Sequence, residues 1–205
     1  LARTFGVPFA AVRTHRPVQR FRDQRRLFTT TESKLSWVIG RTRAICASGR
    51  AVLIGVSSVA LSEEVSAALA RGGLTHGILN ARRLAEEAEI IGEAGRTGRI
   101  TVVTNMAGRG TDIKLASEVH AAGGLHVIIF DVLETDRLDR QLFGRSGRQG
   151  DSGSYDIAHS LDEPALERLL GKRAHAVMGL VLSLPEELRI IGYFGLLNFR
   201  RRWLE

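Results

Sequence analysis

The chain has 205 residues, 44% of them hydrophobic and 25% charged, a balance that fits one or at most two soluble globular domains and excludes disorder as the main state. Its net charge of +7 comes almost wholly from arginine, Lys34, Lys114 and Lys172 being the only lysines, so phosphate or carboxylate is the class of partner to look for. The single cysteine, Cys46, excludes an internal disulfide and cannot build a zinc site alone, which points to a reducing compartment.

The amino end, Leu1-Ala2-Arg3, has no start methionine and no long apolar run, and the expectation is a piece of a larger protein without signal peptide or membrane span. Residues 1–26 carry seven arginines against one acid, Asp23, and read as a solvated basic lead-in or linker. A nucleic-acid arm is the alternative, although the segment lacks a pattern of stacking aromatics. From Glu32, Leu35, Val38, Ile39, Thr42 and Ile45 recur at helical spacing until Ser48-Gly49. Residues 51–56 form a continuous apolar run, predicting a strand buried on both faces. Ser62 is expected to cap a helix running to Leu69. Short strands are expected at His76–Leu79, Ile100–Thr104, Leu125–Phe130 and Tyr155–His159, with helices at about Leu84–Glu93 and Thr135–Phe143 between them.

This alternation predicts right-handed βαβ units and a mainly parallel sheet with helices on both faces, its functional loops lying at the carboxyl ends of the strands. Two loops carry candidate chemistry. After Ile100–Thr104, Arg109 sits between Gly108 and Gly110, where a sharp turn lets a guanidinium approach phosphate, and Asp112 is an acceptor suited to a ribose hydroxyl. The alternative is a surface turn in which Arg109 and Asp112 pair with each other. Further on, Arg145 and Arg148 each follow a glycine and offer two forks to one polyphosphate.

Thr104–Ile113 reads TNMAGRGTDI, Gly123–Ile128 reads GGLHVI and Gln141–Asp151 reads QLFGRSGRQGD. These strings resemble the second nucleotide-binding motor domain of SecA, the preprotein translocase ATPase. The likeness continues in Arg16-Pro17, in GVSSVALSE at Gly55–Glu63 and in ILNARRLAEEAEIIGEAG at Ile78–Gly95, and covers roughly residues 12–171. It implies an α/β, RecA-like lobe of the P-loop NTPase and helicase class, a three-layer sandwich that closes over ATP held by a partner lobe. Arg145 and Arg148 would then be arginine fingers, while Arg109, Gly110, Asp112 and Gln141 would contact nucleotide. ATP and Mg2+ would be held mainly by the first lobe of the same protein. The implied partners are that lobe, a membrane protein-conducting channel and unfolded preprotein, with the protein cytoplasmic and peripheral at the inner membrane.

Two departures stand beside the likeness. Phe143 occupies a position before GRSGR that is usually basic in the family, and Ile129–Thr135 replaces a polar, charged stretch, so a divergent paralogue is expected. The sequence contains neither GxxxxGK[ST] nor a DExD-type box, so it offers half of an ATP site. Gly92–Gly98 is phosphate-friendly but ends a helix rather than opening one. The six histidines show no ligand spacing and no metal site is expected, and Ser146, Ser152 and Ser154 show no base in sequence.

Past residue 160 the reading is a helical tail, so the domains are expected as lead-in 1–26, motor lobe 27–160 and tail 161–205. Leu188, Ile190, Ile191, Phe194, Leu197 and Phe199 followed by Arg200-Arg201-Arg202-Trp203 suit either packing, on their own domain or on missing parts of the protein, or rest on an anionic membrane surface, and are too interrupted to span it. Two other functions compete: a superfamily 2 nucleic-acid helicase lobe, from QxxGRxGR and the basic lead-in, and a RecA-like binding module without turnover. Nucleic acid is not the expected partner.

Overall fold

The computed structural model describes residues 15–82, 87–105, 107, 111–170, 181 and 184–204, together with Gly6. Six strands form one sheet in the order β1-β6-β5-β2-β4-β3: β1 (Gln19–Phe28), β2 (Val52–Val56), β3 (Gly77–Leu79), β4 (Ile100–Thr104), β5 (Leu125–Ile129) and β6 (Ser152–Ser160). Every pairing is parallel. The helices are α1 (Thr31–Ala47), α2 (Val59–Arg71), α3 (Glu87–Ala94), α4 (Ser117–Ala121), α5 (Asp136–Phe143), α6 (Pro164–Leu170) and α7 (Glu186–Leu204).

Alternation along the buried strands sorts the core into two layers. Val52, Ile54, Val102, Ile128 and Phe130 face α1 and α2, meeting Val38, Ile45, Val65 and Leu69. Leu53, Val103, Val127, Ile129 and Ile157 face the other way, meeting Ile91 of α3, Val119 of α4, Leu142 of α5 and Tyr193, Phe194 and Leu197 of α7. The result is the expected RecA-like three-layer sandwich with a parallel sheet.

Three local readings change. Gln19–Arg26, expected as part of a linker, belongs to a ten-residue edge strand paired with β6 from Gln19↔Ser152 to Phe28↔Ser160. Its period is broken between Arg22 and Arg25, where the register shifts. The shift is stabilised by Asp156 of β6, whose Oδ1 accepts the Gln24 backbone N–H at 2.8 Å. The cap of α2 is Ser58, whose side chain accepts from Leu61 N, and Ser62 sits inside the first turn with its Oγ donating to the Val59 carbonyl at 2.6 Å. Finally, α4 was not foreseen, being a single short turn-and-a-half with too few residues to show a period.

Helix α7 packs on its own sheet through the buried Tyr193, Phe194 and Leu197, the first of the two expectations for the tail. Among the described residues no helix is long and apolar enough to cross a membrane.

Candidate functional site

Parallel topology fixes where the loops lie. The segment after β4 leaves the carboxyl edge of the sheet, whereas the loop 144–151 connects α5 to the start of β6 and so lies at the amino edge. Sequence reasoning put both at the carboxyl edge. They meet nonetheless, because residues 111–116 lie at the amino edge, where Ala116 N donates to the Gly95 carbonyl at 3.0 Å.

The meeting is made by the two arginines. Arg145, 8% exposed, donates from Nη2 to the Ala107 carbonyl at 2.7 Å. Burial lowers its pKa, and the like charge of Arg148 adds to the effect. Arg148 is more open: its Nη1 donates to Asp112 Oδ1 at 2.7 Å and to the Thr111 carbonyl at 3.3 Å, and its Nε to the Gly144 carbonyl at 3.1 Å. Asp112 thus pairs with Arg148. Arg109 and Gly110 lie outside the described residues. Gln141 is half-buried on α5, one turn before Arg145, and does not line the cleft described next.

That cleft has a volume of about 410 Å³ and is walled by Arg145, Arg148, Asp112, Lys114, Arg16 and His120, with Asp151 at its rim. Four guanidinium or ammonium groups against two carboxylates make it a place for an anion. Its two acids are already engaged, Asp112 by Arg148 and Asp151 by His120 at 3.7 Å, so the walls suit phosphate oxygens and do not offer a divalent-cation cage. Sequence reasoning missed Lys114 and His120. Both are isolated in sequence, and the turn of the β4 segment into α4 brings them to the cleft.

Glycine shapes the loop. Gly147 and Gly150 have φ of +62° and +88°, and Gln149 between them is also left-handed at +51°. A Cβ on Gly147 would stand 2.7 Å from Arg20 Cβ, and one on Gly150 2.9 Å from Arg16 Cδ. Arg20 at the start of β1 and Arg16 just before it therefore press on the arginine loop at two glycines that no other residue replaces without displacement.

A second polar group lies across β5 and β6 under α1. Ser154 Oγ is 2.8 Å from His126 Nδ1, and His126 Nε2 is 3.1 Å from Asp156 Oδ2, so Ser154 does have a base in space. All three are fully buried, and Ser154 Oγ also accepts from Arg50 Nη2 at 2.9 Å, which leaves no route for a substrate to reach the hydroxyl. Asp23, His126 and Asp156 also bring ligand atoms within 4.8 Å of one another. Arg41 already bridges the two carboxylates, Nε to Asp156 at 2.8 Å and Nη2 to Asp23, so the cation of this cluster is a guanidinium.

The SecA P-loop domain family matches residues 17–120 and 116–186. The chain belongs to that family. Among curated relatives it is 47% identical over 178 residues to protein translocase subunit SecA 2 of Nitrosospira multiformis, covering 87% of this chain and 27% of the relative. It is 44% identical over 185 residues to SecA 2 of Magnetococcus marinus, covering 90% and 28%, and 43% identical over 165 residues to SecA of Amoebophilus asiaticus, covering 80% and 15%. The SecA-family chain described here thus spans less than a third of these relatives. Among solved structures, its fold is similar to the Escherichia coli DEAD-box protein SrmB, with TM-score 0.57 at 19% identity over 75% of this chain and 84% of that one. It is similar also to DEAD-box helicase domain 2 of Mss116p, with TM-score 0.53 at 14% identity over 90% and 80%.

Proposed function

We propose that this SecA-family chain is the second motor lobe of a translocase ATPase and works by adding positive charge to an ATP site whose other half it does not contain. The observation that carries the reading is the convergence of Arg145 and Arg148 with the Asp112 segment in one basic cleft. Phosphoryl transfer spreads charge over the departing γ-phosphate, and a guanidinium placed there lowers the barrier. Arg148, the more open of the two, supplies that charge, and Arg145, lining the same cleft, is the second finger. On the family resemblance Arg109 and Gly110 are proposed to contact nucleotide with Asp112, and Gln141, which does not line this cleft, to act from α5 beside it. The first nucleotide-binding lobe holds ATP and Mg2+, since this sequence has neither phosphate loop nor acidic box. The relatives are called translocase subunits, and unfolded preprotein and a membrane channel are the proposed partners, with the cytoplasmic face of the inner membrane as the proposed place of work. The sheet from residue 19 to 160, its first strand included, is proposed as the motor lobe in place of 27–160, with residues 161–205 as its helical tail.

The helicase reading loses part of its ground because Arg20 and Arg25 of the basic lead-in are committed to aromatic rings within the domain. Steady-state phosphate release decides between turnover and mere binding. The 205-residue chain alone is expected to show none above background. The full-length protein is expected to lose on the order of 10³-fold or more in kcat on Arg148→Ala and on Arg145→Ala. Hydrolysis by the isolated chain contradicts the half-site, and wild-type turnover in both variants leaves only the binding module.

A further inference from the structure

The loop carrying the two fingers is held from outside itself. Arg20 of β1 donates from Nη1 to the Ser146 carbonyl at 2.7 Å, and Ser146 lies between Arg145 and Arg148 in the chain. The Arg20 guanidinium also stands over the Phe143 ring, 5.0 Å from its centroid, and Phe143 stacks on Tyr155 of β6 at 4.6 Å with 18° between planes. One side chain therefore grips the loop on both sides of Arg145. A charge-assisted hydrogen bond fixes the peptide after it, and a cation–π contact fixes the ring two residues before it. Ser146 anchors the loop as well, its Oγ donating to the Leu125 carbonyl at 2.8 Å. Arg20 itself does not line the cleft, so whatever it does to a nucleotide it does through the loop.

We propose that Arg20 is a positioning residue that sets the direction of Arg145 and Arg148, an inference that rests on the function proposed above. The Ser146 carbonyl belongs to the peptide linking it to Gly147, a left-handed residue packed against Arg20. Rotation of that peptide swings Arg148 away from where charge develops, and misplacement by about 1 Å costs around 10²-fold in rate. Phe143, noted above as a departure from the family, thereby acquires a use as the ring on which the clamp rests.

The test uses the full-length protein carrying this chain, with phosphate release and thermal unfolding measured on Arg20→Gln, Arg20→Lys, Phe143→Leu, Arg148→Ala and the Arg20→Gln/Arg148→Ala double variant. Arg20→Gln is expected to lower kcat roughly tenfold to hundredfold, with KM for ATP within about twofold of wild type. Arg20→Lys keeps a donor and a cation over the ring and stays within about threefold of wild type. The double variant turns over no more slowly than Arg148→Ala alone, because a clamp has nothing to aim once the finger is gone. Wild-type kcat in Arg20→Gln, equal damage by lysine and glutamine, or full additivity in the double variant overturns the inference. If Arg20→Gln does not fold, the other two decide: retained turnover in Arg20→Lys with several-fold loss in Phe143→Leu supports the clamp, and any other pattern overturns it. Wild-type turnover in Arg148→Ala overturns the proposed function and the clamp together, whereas loss in Arg148→Ala beside wild-type kcat in Arg20→Gln overturns the clamp alone.

Discussion

Arg145 and Arg148 are three residues apart and chemically identical, yet their surroundings give them different weights in the fold. Arg145 is buried and occupies the Ala107 carbonyl, so truncation leaves that acceptor inside the protein without its charged donor. Arg148 reaches Asp112 on an open surface, where an ion pair contributes at most about 1 kcal/mol. Arg145→Ala is therefore expected to lower the unfolding free energy of the chain by about 1–3 kcal/mol and Arg148→Ala by less than about 1 kcal/mol, measured by urea titration. Equal losses would mean that the two are held alike. At this scale the glycine-arginine strings made Arg145, Arg148 and Asp112 legible in sequence, because a resemblance preserves local strings. Their pairing was not legible. The sequence offers Asp112 a ribose hydroxyl or, as the alternative, Arg109 three residues before it, and says nothing of Arg148, 36 residues further on, which reaches it across the fold.

The elements that sequence patterning found are those buried on both faces or capped by residues of the expected kind. Strands β2, β4 and β5 are continuous apolar runs, and Thr135 caps α5 by accepting from Leu138 N. Strand β1 went unread for a physical reason: it is an edge, rich in arginine as edges that must not pair with other chains are, and its register shift destroys the period of two. The tail shows the converse. By pattern alone Phe194 and Leu197 of α7 suit packing on the domain or rest on a membrane, and the deciding partners, His159 and Arg25, lie on β6 and β1. Tyr193 Oη is 3.2 Å from His159 Nδ1, Phe194 meets the Tyr193 ring edge-on at 4.8 Å, and the Arg25 guanidinium stands 4.3 Å over Phe194. Burial of this depth predicts that Phe194→Ala costs about 3–5 kcal/mol, while Ile191→Ala, at a position 68% exposed, stays within about 0.5 kcal/mol. Urea titrations of the two variants test this, and a small loss for Phe194 would mean that α7 is not part of the cooperative fold.

Across the whole molecule, two buried acid–base groups bias folding in opposite directions as pH changes. At the carboxyl edge, burial raises the Asp131 carboxyl to about 7, against hydrogen bonding from Ser57, with Glu163 adding to the rise. The folded chain thus keeps a proton that the unfolded chain has released, and this contribution is complete below about pH 4 and lost as pH rises through 7. Under α1 the reverse holds. Burial lowers His126 below its ordinary value, and the nearby Arg50 and Arg41 lower it further against the pull of Asp156, so its contribution is present above about pH 6.5 and lost as pH falls. Asp156 itself is drawn up by burial but brought below the usual carboxylate range by His126 and Arg41, so its contribution is lost only in acid, below about pH 4. Below about pH 6.5 the Asp131 and His126 contributions run in opposite directions, so wild type should change less steeply with pH than a variant that lacks either group. Asp131→Asn removes the falling slope and leaves stability that climbs with pH, whereas His126→Asn leaves stability that declines as pH rises. Denaturant titrations at several pH values between 4.5 and 7 separate these three profiles. Parallel curves for all three proteins would show that neither group changes its proton occupancy on folding.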